Sequence, residues 1–482
     1  MKIGITEIQP GEEIMSEKSP LRTDDKRFLF ETDSVPHALT VMTLPAVASQ
    51  LITLIYNMAD TWFVGRTNNP YMVASCSLVL PVFMMTIVIS NIFGSGGGTL
   101  IARLIGSGQE EEASRVSAAC IWMALSAAFI FSLLCFLGMT PLLRFLGASD
   151  MVLSYAKQYM FFVVVLGSIP VILSNTLSAM LRSIGLSSKA SFGLSMGGLL
   201  NIALDPLFMF VILPDGQQVM GAAIATLLSN LSVLLYFIVT YRQACIHTVL
   251  RGSMIGKYPT AESLKSIFGV GIPAAISVFL FDLCNIVINR LSSSHGDIEL
   301  AAIGIVLKVE RLPLNIGIGI CLGMVPLLAY SYSSGDRKRM DAVFRFGRGV
   351  GLAIGLGSVI LYFIFAPVIM RTFIGDAATV RFGTQFLRAR CFATPLMFLC
   401  FSMVHFMQAI GRGRDSLRLA VIRQLVFNIP LLFFMDRMFG VTGIVWTQAL
   451  ADFFTVIVSY IIYAWVRKQE GWPAGIACPG RK

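Results

Sequence analysis

Long apolar stretches alternate with short polar connections along the 482-residue chain. A helix that crosses a bilayer needs about 20 mostly apolar residues, and each of twelve stretches meets this length. The predicted spans are 38–62, 72–100, 113–138, 151–175, 189–212, 219–241, 263–290, 299–329, 343–366, 383–409, 417–438 and 442–466. The loops between them are short, as is typical of antiparallel neighbours. The pattern predicts an all-α membrane protein with twelve transmembrane helices.

The composition agrees with this interpretation and excludes several classes of protein. The chain is 56% hydrophobic and 13% charged, whereas a soluble domain carries roughly 25% charged residues. A soluble enzyme could not cover its surface with so few charges, and 35 Phe residues exclude a disordered chain. Most of the nine Cys residues lie in apolar runs at spacings that suggest neither a disulfide framework nor a zinc site.

The basic residues predict how the chain lies in the membrane. The net charge of +10 comes from bases concentrated in loops, so membrane topology explains it better than nucleic-acid binding. A cytoplasmic start places most of the 37 Lys and Arg residues on cytoplasmic segments. We therefore expect a multi-pass protein of the cytoplasmic (inner) membrane with both termini in the cytoplasm.

The chain divides into two halves at its longest internal connection. The predicted segments are a cytoplasmic polar tail (1–36, without a signal peptide), an N-lobe of spans one to six (37–242), a cytoplasmic linker (243–262), a C-lobe of spans seven to twelve (263–467) and a cytoplasmic tail (468–482).

The two halves repeat each other. A shift of about 227 residues aligns Pro45 with Pro273, Asn57 with Asn285, Ala74 with Ala302, Gly108 with Gly335, Gly185 with Gly411, and Asn201 with Asn428. Six is an even number of spans, so the second copy enters from the same side as the first. This predicts two pseudo-symmetric six-helix bundles with a cavity between them, an architecture suited to alternating access. A sensor or structural membrane protein has no need of it.

Two acids in the first half are the strongest candidates for chemistry, because ionisable groups within spans are costly in lipid. Asp60 lies near the end of span one, and Asp205 follows Asn201 by four residues, which places the two side chains on one helical face. Pro206 frees the carbonyl around Ile202 from its usual hydrogen bond. Carboxylate, amide and carbonyl oxygens together suit Na⁺.

The same residues allow other interpretations. Two carboxylates in a desolvated pocket repel each other, which also favours H⁺, and the sequence does not separate the two ions. The structural alternative is that Asp60 caps a helix end and Asp205 only precedes a proline kink.

Several motifs resemble those of multidrug and toxic compound extrusion (MATE) transporters, in particular their DinF-like prokaryotic branch. They are Tyr56–Thr61, Gly94–Gly98, Arg103–Gln109, Asn201–Pro206 and Gly221–Thr226. The resemblance runs from about Leu39 to Arg467. It implies a twelve-helix, two-lobe antiporter that exports organic cations and amphipathic drugs in exchange for inward Na⁺ or H⁺. Separately, we expect a monomer that contacts membrane lipids.

The resemblance also implies a set of site residues. The implied cation site, which could take Na⁺, is Asp60, Asn201, Asp205 and Thr226. Tyr56 and Asn57, one turn before Asp60, are expected neighbours. No cofactor is implied besides the coupling ion.

The second half carries a different set of polar residues. Some relatives place a Glu in span seven and an Asp in span ten, but here Asp282 is displaced by one position and span ten offers His405 without an acid. Coupling through this lobe is therefore not expected. We expect instead that Asp282, Lys308, Glu310 and Arg311 form a buried ion-pair cluster, and that His405 bonds a neighbouring helix.

Other functions find less support in the sequence. Gly94–Gly98 lacks the Lys-Ser/Thr ending of a phosphate loop, so ATP-driven transport is not expected. No nucleophile–base pair or metal cluster suggests an enzyme. A lipid-linked precursor flippase is the main alternative, although such flippases have extra spans and a basic cavity. The 24 Met and 35 Phe residues suit a promiscuous drug pocket or ordinary packing.

Overall fold

The computed structural model describes residues 28–67, 69–214, 216–252 and 258–472, and within these the regular secondary structure is entirely helical. Most of the predicted polar tail 1–36, part of the linker 243–262 and most of the tail 468–482 lie outside the described residues. The spans, labelled in chain order, are α1 (Val35–Gly65), α2 (Pro70–Gly106), α3 (Glu110–Leu137), α4 (Asp150–Leu166 with Ser168–Ser183), α5 (Ser187–Ile212), α6 (Gln218–His247), α7 (Ala261–Ser292), α8 (Asp297–Ser333), α9 (Arg337–Phe373), α10 (Ala377–Arg390 with Ala393–Ala409), α11 (Gly413–Phe439) and α12 (Val441–Gln469). The predicted fold class is confirmed.

Two spans are bent, which the apolar pattern did not predict. The halves of α4 meet at 40° and those of α10 at 44°. In α4 a π-helical segment, Phe161–Leu166, precedes Gly167, and a methyl group on Gly167 would lie 2.2 Å from the carbonyl oxygen of Val163. A π segment interrupts the regular hydrogen-bond ladder and is a common cause of kinks. Glycine therefore permits the bend.

Several helices extend beyond the predicted spans. α2 continues from its apolar stretch to Gly106, and α9 begins at Arg337. A helix needs apolar residues only where it crosses hydrocarbon, so its ends continue into polar sequence. Each lobe has its own core, around Met180 and Phe237 in the N-lobe and around Met370 in the C-lobe.

The repeated glycines mark equivalent turns in the two lobes. Gly108 and Gly335 end α2 and α8 at φ of 76° and 82°, and Gly185 and Gly411 end α4 and α10 at 85° and 83°. Residues with a side chain rarely adopt this left-handed conformation. The sequence repeat therefore reflects a backbone requirement that both lobes share.

A second pair of glycines shows that the last two spans of each lobe also pack alike. A methyl group on Gly221 of α6 would lie 2.7 Å from the carbonyl oxygen of Phe208, and one on Gly443 of α12 would lie 2.1 Å from that of Met435. Phe208 and Met435 are related by the same repeat. The close approach of α6 to α5 thus has its counterpart in α12 and α11.

The lobes contact each other near the face where α1 begins and α12 ends, called here the termini face. A methyl group on Gly271 of α7 would lie 2.0 Å from the carbonyl oxygen of Ile92 in α2, and one on Gly319 of α8 would lie 2.6 Å from Cα of Val47 in α1. Arg103 of α2 donates to Ser266 Oγ of α7 at 3.0 Å.

The chain entering α1 adds to this seam. Phe30 is buried and stacks on Tyr330 with ring centroids 5.0 Å apart, while Arg339 donates to the carbonyl oxygens of Leu29 and Asp33. In the described part of the chain, the hydrogen bonds, ring contacts and close glycine contacts recorded between the lobes all lie in this half of the bundle. The lobes are therefore joined at the termini face and separate toward the opposite face.

Gly271→Val should weaken the seam, because the added side chain overlaps the backbone of Ile92. Overpacking costs about 1–3 kcal/mol. The ratio of molecules with the lobes joined at the seam to molecules with the seam open therefore falls by a factor of about 5 to 150. Spin labels at Arg66 and Ser294, in a chain depleted of cysteine, should then approach each other in a pulsed EPR distance measurement.

Gly349→Val is the matched control, since a Cβ at this exposed helical position meets no atom within 4 Å. Identical distance distributions for the two variants would contradict the role assigned to the seam.

Candidate functional site

Three of the four predicted cation-site residues meet between α5 and α6. Asn201 Nδ2 donates to Asp205 Oδ1 at 3.0 Å and lies 3.4 Å from Thr226 Oγ1. Asn201 and Asp205 are both buried. The spacing of four residues gives the first contact within one helix, while the second joins two helices.

Asp60 of α1 is the fourth predicted residue. Its carboxylate lies within electrostatic range of Asp205. One oxygen of each carboxylate, Oδ1 of Asp60 and Oδ2 of Asp205, is buried without a hydrogen-bond partner. A buried unpaired carboxylate oxygen is costly, and two of them in one pocket repel each other. The arrangement is suited to a small cation placed between them.

The backbone of α5 is irregular next to this pocket. The α-helix passes through Pro206, ends at Leu207 and continues as a π segment, Phe208–Ile212. Proline removes a backbone donor, and a π segment changes the hydrogen-bond register. The irregular segment follows Pro206, whereas Ile202 lies in the α-helical part of α5, so the freed carbonyl predicted around Ile202 stays a prediction.

The two expected neighbours differ in position. Tyr56 packs against Gly198, where a methyl group would lie 2.9 Å from its ring, and it lies within electrostatic range of Asp60. Asn57 is exposed and donates to the carbonyl oxygen of Thr53 at 2.8 Å. The structure therefore places Tyr56 beside the pocket and directs the amide of Asn57 to its own helix.

Two residues at the pocket were not predicted. Cys76 of α2 and the buried Tyr159 of α4 both lie within electrostatic range of Asp60, and Tyr159 also lies within range of Asp205. The available signals were the small polar run around Cys76 and the Lys-Gln-Tyr run that ends at Tyr159. Neither run reveals which helix it faces.

The structure does not join the four polar residues predicted in the C-lobe into one ion-paired cluster. Glu310 pairs with Arg390 of α10 at 2.5 Å, and both side chains are buried. Asp282 is half-buried and lies within electrostatic range of Arg311, while Arg311 and Lys308 are exposed.

The basic partner of Glu310 comes from a helix outside the predicted set. The sequence prediction considered only neighbours in spans seven and eight. His405, predicted to bond a neighbouring helix, instead contacts the carbonyl oxygen of Phe401 in its own helix, with Nδ1 at 2.8 Å.

The donor set of the N-lobe pocket limits its ligand. Among the described residues, no group of three His, Cys, Asp or Glu side chains is arranged to hold a metal ion. Two carboxylates with an amide and a hydroxyl oxygen form a hard-oxygen set. Such a set suits an alkali cation or a proton better than a transition metal.

Twelve spans in two repeated lobes, with two carboxylates close to each other inside one lobe, are features of a membrane transporter of the two-lobe type. The family model described as MatE matches residues 45–207 and 273–434. The two matches begin at Pro45 and Pro273, the pair aligned by the internal repeat. Because the matches cover more than half of the sequence, the chain belongs to the MatE family.

Individual relatives agree with this assignment. The multidrug export protein MepA of Staphylococcus saprophyticus is 30% identical over 447 residues, covering 92% of this chain and 97% of the relative. MepA of a Staphylococcus aureus strain is 29% identical over 446 residues with the same coverage. A solved multidrug resistance MATE transporter in an outward-facing conformation is 22% identical, has a TM-score of 0.86 and covers 93% of this chain and 98% of its own.

Asp205→Asn should stabilise the protein at alkaline pH in sodium-free buffer. The change keeps the side-chain volume and removes a buried charge that repels Asp60. We expect the melting temperature to rise by a few degrees, for a gain of about 1–3 kcal/mol. Differential scanning fluorimetry measures the shift.

Asp282→Asn is the control, because this half-buried acid lies near the opposite charge of Arg311. Its melting temperature should stay unchanged or fall. A lower melting temperature for Asp205→Asn would contradict the repulsive pocket.

Proposed function

We propose that this chain is a secondary antiporter that exports organic cations and amphipathic drugs in exchange for inward Na⁺ or H⁺. Its membership of a family with relatives named as multidrug export proteins supports export of small molecules. The two repeated lobes, joined at one face, support alternating access by rocking of one lobe against the other.

One observation carries the coupling part of the proposal. Asp60 and Asp205 lie within electrostatic range of each other, each has one buried oxygen without a hydrogen-bond partner, and Asp205 is bonded to Asn201, which also approaches Thr226. A cation that enters this pocket removes the repulsion between the carboxylates and draws α1, α5 and α6 together. Either Na⁺ or H⁺ supplies the missing charge.

Ion and drug then compete through the same lobe. An organic cation is attracted by the carboxylates that attract the coupling ion, and it gains further from nearby aromatic rings. Binding of one therefore disfavours binding of the other, and this negative coupling is reciprocal in free energy. Such coupling drives exchange when the cleft alternates between the two sides.

The charge of the pocket favours antiport over the alternative of a lipid-linked precursor flippase. A pyrophosphate substrate requires basic groups, whereas this pocket presents the carboxylates of Asp60 and Asp205. Localisation in the cell membrane with both termini in the cytoplasm completes the proposal, and it places the cleft of this structure on the outer side.

The test is dye efflux from proteoliposomes in which Na⁺ and pH gradients are imposed separately. Wild-type protein should export a cationic dye on one of the two gradients. Asp60→Asn and Asp205→Asn should each reduce this efflux by at least about tenfold, because a neutral amide does not exchange a cation. Asp282→Asn should retain it.

Full efflux by both N-lobe variants, with normal membrane insertion, would overturn the coupling site. If the wild-type chain moved no dye on either gradient but moved a lipid-linked pyrophosphate, the flippase would replace the antiporter.

A further inference from the structure

The C-lobe contains a counterpart of the N-lobe pocket. The repeat relates Asn201 to Asn428, and the paired glycines at the starts of α6 and α12, Gly221 and Gly443, relate Thr226 to Gln448. Asn428 Nδ2 donates to Gln448 Oε1 at 3.1 Å, as Asn201 approaches Thr226 in the N-lobe. The same amide thus bridges the same pair of helices in both lobes.

The acids of the N-lobe have no equivalents at the corresponding positions. The repeat places Ile288 where the N-lobe has Asp60 and Leu432 where it has Asp205. Both of these side chains are buried and apolar. The C-lobe supplies its acid from another position, Asp452, one turn after Gln448 in α12.

Asp452 differs from the N-lobe acids because its oxygens are all paired. Arg423 of α11 donates from Nε to Oδ1 at 2.6 Å and from Nη2 to Oδ2 at 3.2 Å. Gln448 Nε2 donates to Oδ2 at 2.8 Å. The side chains of Arg423 and Asp452 are 5% and 0% exposed, so the carboxylate is fully compensated away from water.

We infer that the C-lobe holds a second site for a monovalent cation, permanently occupied by the guanidinium of Arg423. The inference rests on the proposed function for the exchangeable cation of the N-lobe. A guanidinium stays protonated and is covalently attached, so it does not exchange. Only the N-lobe then carries a coupling ion.

The surroundings of Arg423 fit a resident cation in a preformed pocket. Its guanidinium lies 4.6 Å from the ring centre of Phe401, a cation–π contact that adds to the ion pair. Oδ1 of Asn428 is buried without a hydrogen-bond partner. Removal of the guanidinium would leave the carboxylate of Asp452 without its charge partner, while Gln448 still links this carboxylate to Asn428.

Other ionisable groups lie around the pair without replacing either member. The thiols of Cys284 in α7 and Cys400 in α10 lie within electrostatic range of Asp452 and Arg423, and Cys400 Sγ lies 3.7 Å from the carbonyl oxygen of Asp452. Arg390 lies within range of Cys284 and Arg348 within range of Cys400. Arg390 is paired with Glu310.

The experiment empties the site and asks whether an external cation replaces the guanidinium. Arg423→Met introduces a side chain of similar length, and methionine is the residue that the repeat places at this position in the N-lobe, Met196. We expect the number of cations bound per chain to rise from one to two, measured by radioactive sodium binding and by proton uptake.

The Asp205→Asn background separates this inference from the proposed function. Asp205→Asn alone should lose the dependence of melting temperature on Na⁺ or pH. Asp205→Asn with Arg423→Met should regain it, and further addition of Asp452→Asn should abolish it again. If the melting temperature of wild-type protein shows no ion dependence that requires Asp205, the proposed function fails. An ion dependence that appears on Arg423→Met would still support the second site.

Each remaining outcome decides the inference. Recovery of folded Arg423→Met protein only with Na⁺ or at acid pH would support the second site. The inference is overturned if Arg423→Met and the double variant Arg423→Met with Asp452→Asn show the same ion dependence. It is also overturned if Arg423→Met is unfolded with every ion tested while the double variant folds. Failure of both variants to fold would make the pair a packing element and would overturn it as well.

Discussion

An ionised carboxylate inside a membrane protein needs a compensating charge, because neither hydrocarbon nor packed side chains replace its hydration. The C-lobe meets this requirement within the chain, and the N-lobe does not. Asp452 is paired within the chain by Arg423, whereas Asp60 and Asp205 lie within electrostatic range of each other and each has one buried oxygen without a hydrogen-bond partner. Helices related by an internal repeat thus carry one electrostatically complete pocket and one incomplete pocket. Under the proposed function, only the incomplete pocket gains free energy by taking up a cation from outside.

Most of the fold was predictable from the sequence because its determinants are local. The length of an apolar stretch reports a span directly, and Gly108 with Gly335 marks a left-handed turn that both lobes require. The bend of α4 at Gly167 was missed, since a π segment has no characteristic apolar pattern. Helix ends were underestimated in α2 and α9, where the helix continues into polar sequence.

The site shows the same division between local and long-range information. The contact between Asn201 and Asp205 follows from a spacing of four residues, but the approach of α1 to α5 depended on the family resemblance. Pairs that join distant helices, such as Glu310 with Arg390, were not predicted, because spacing along one helix does not specify which helix packs beside it. The same limit concealed the pair formed by Arg423 and Asp452.

Helix α1 connects the incomplete pocket with the seam between the lobes. Asp60 lies near its end away from the termini face, and Val47, nearer its beginning, packs against Gly319 of α8. Gly319 leaves no room for a side chain, so a displacement of α1 relative to α5 also changes the contact with the C-lobe. A charge that enters between Asp60 and Asp205 alters the force on α1 within the N-lobe. Because α1 also packs against α8 in the seam, that force acts on the interface between the lobes. Opening of this interface would move the opening of the cleft to the other side of the membrane. Under the proposed antiport, the complete pocket of the C-lobe would generate no comparable force, so ion uptake would act on the position of the N-lobe.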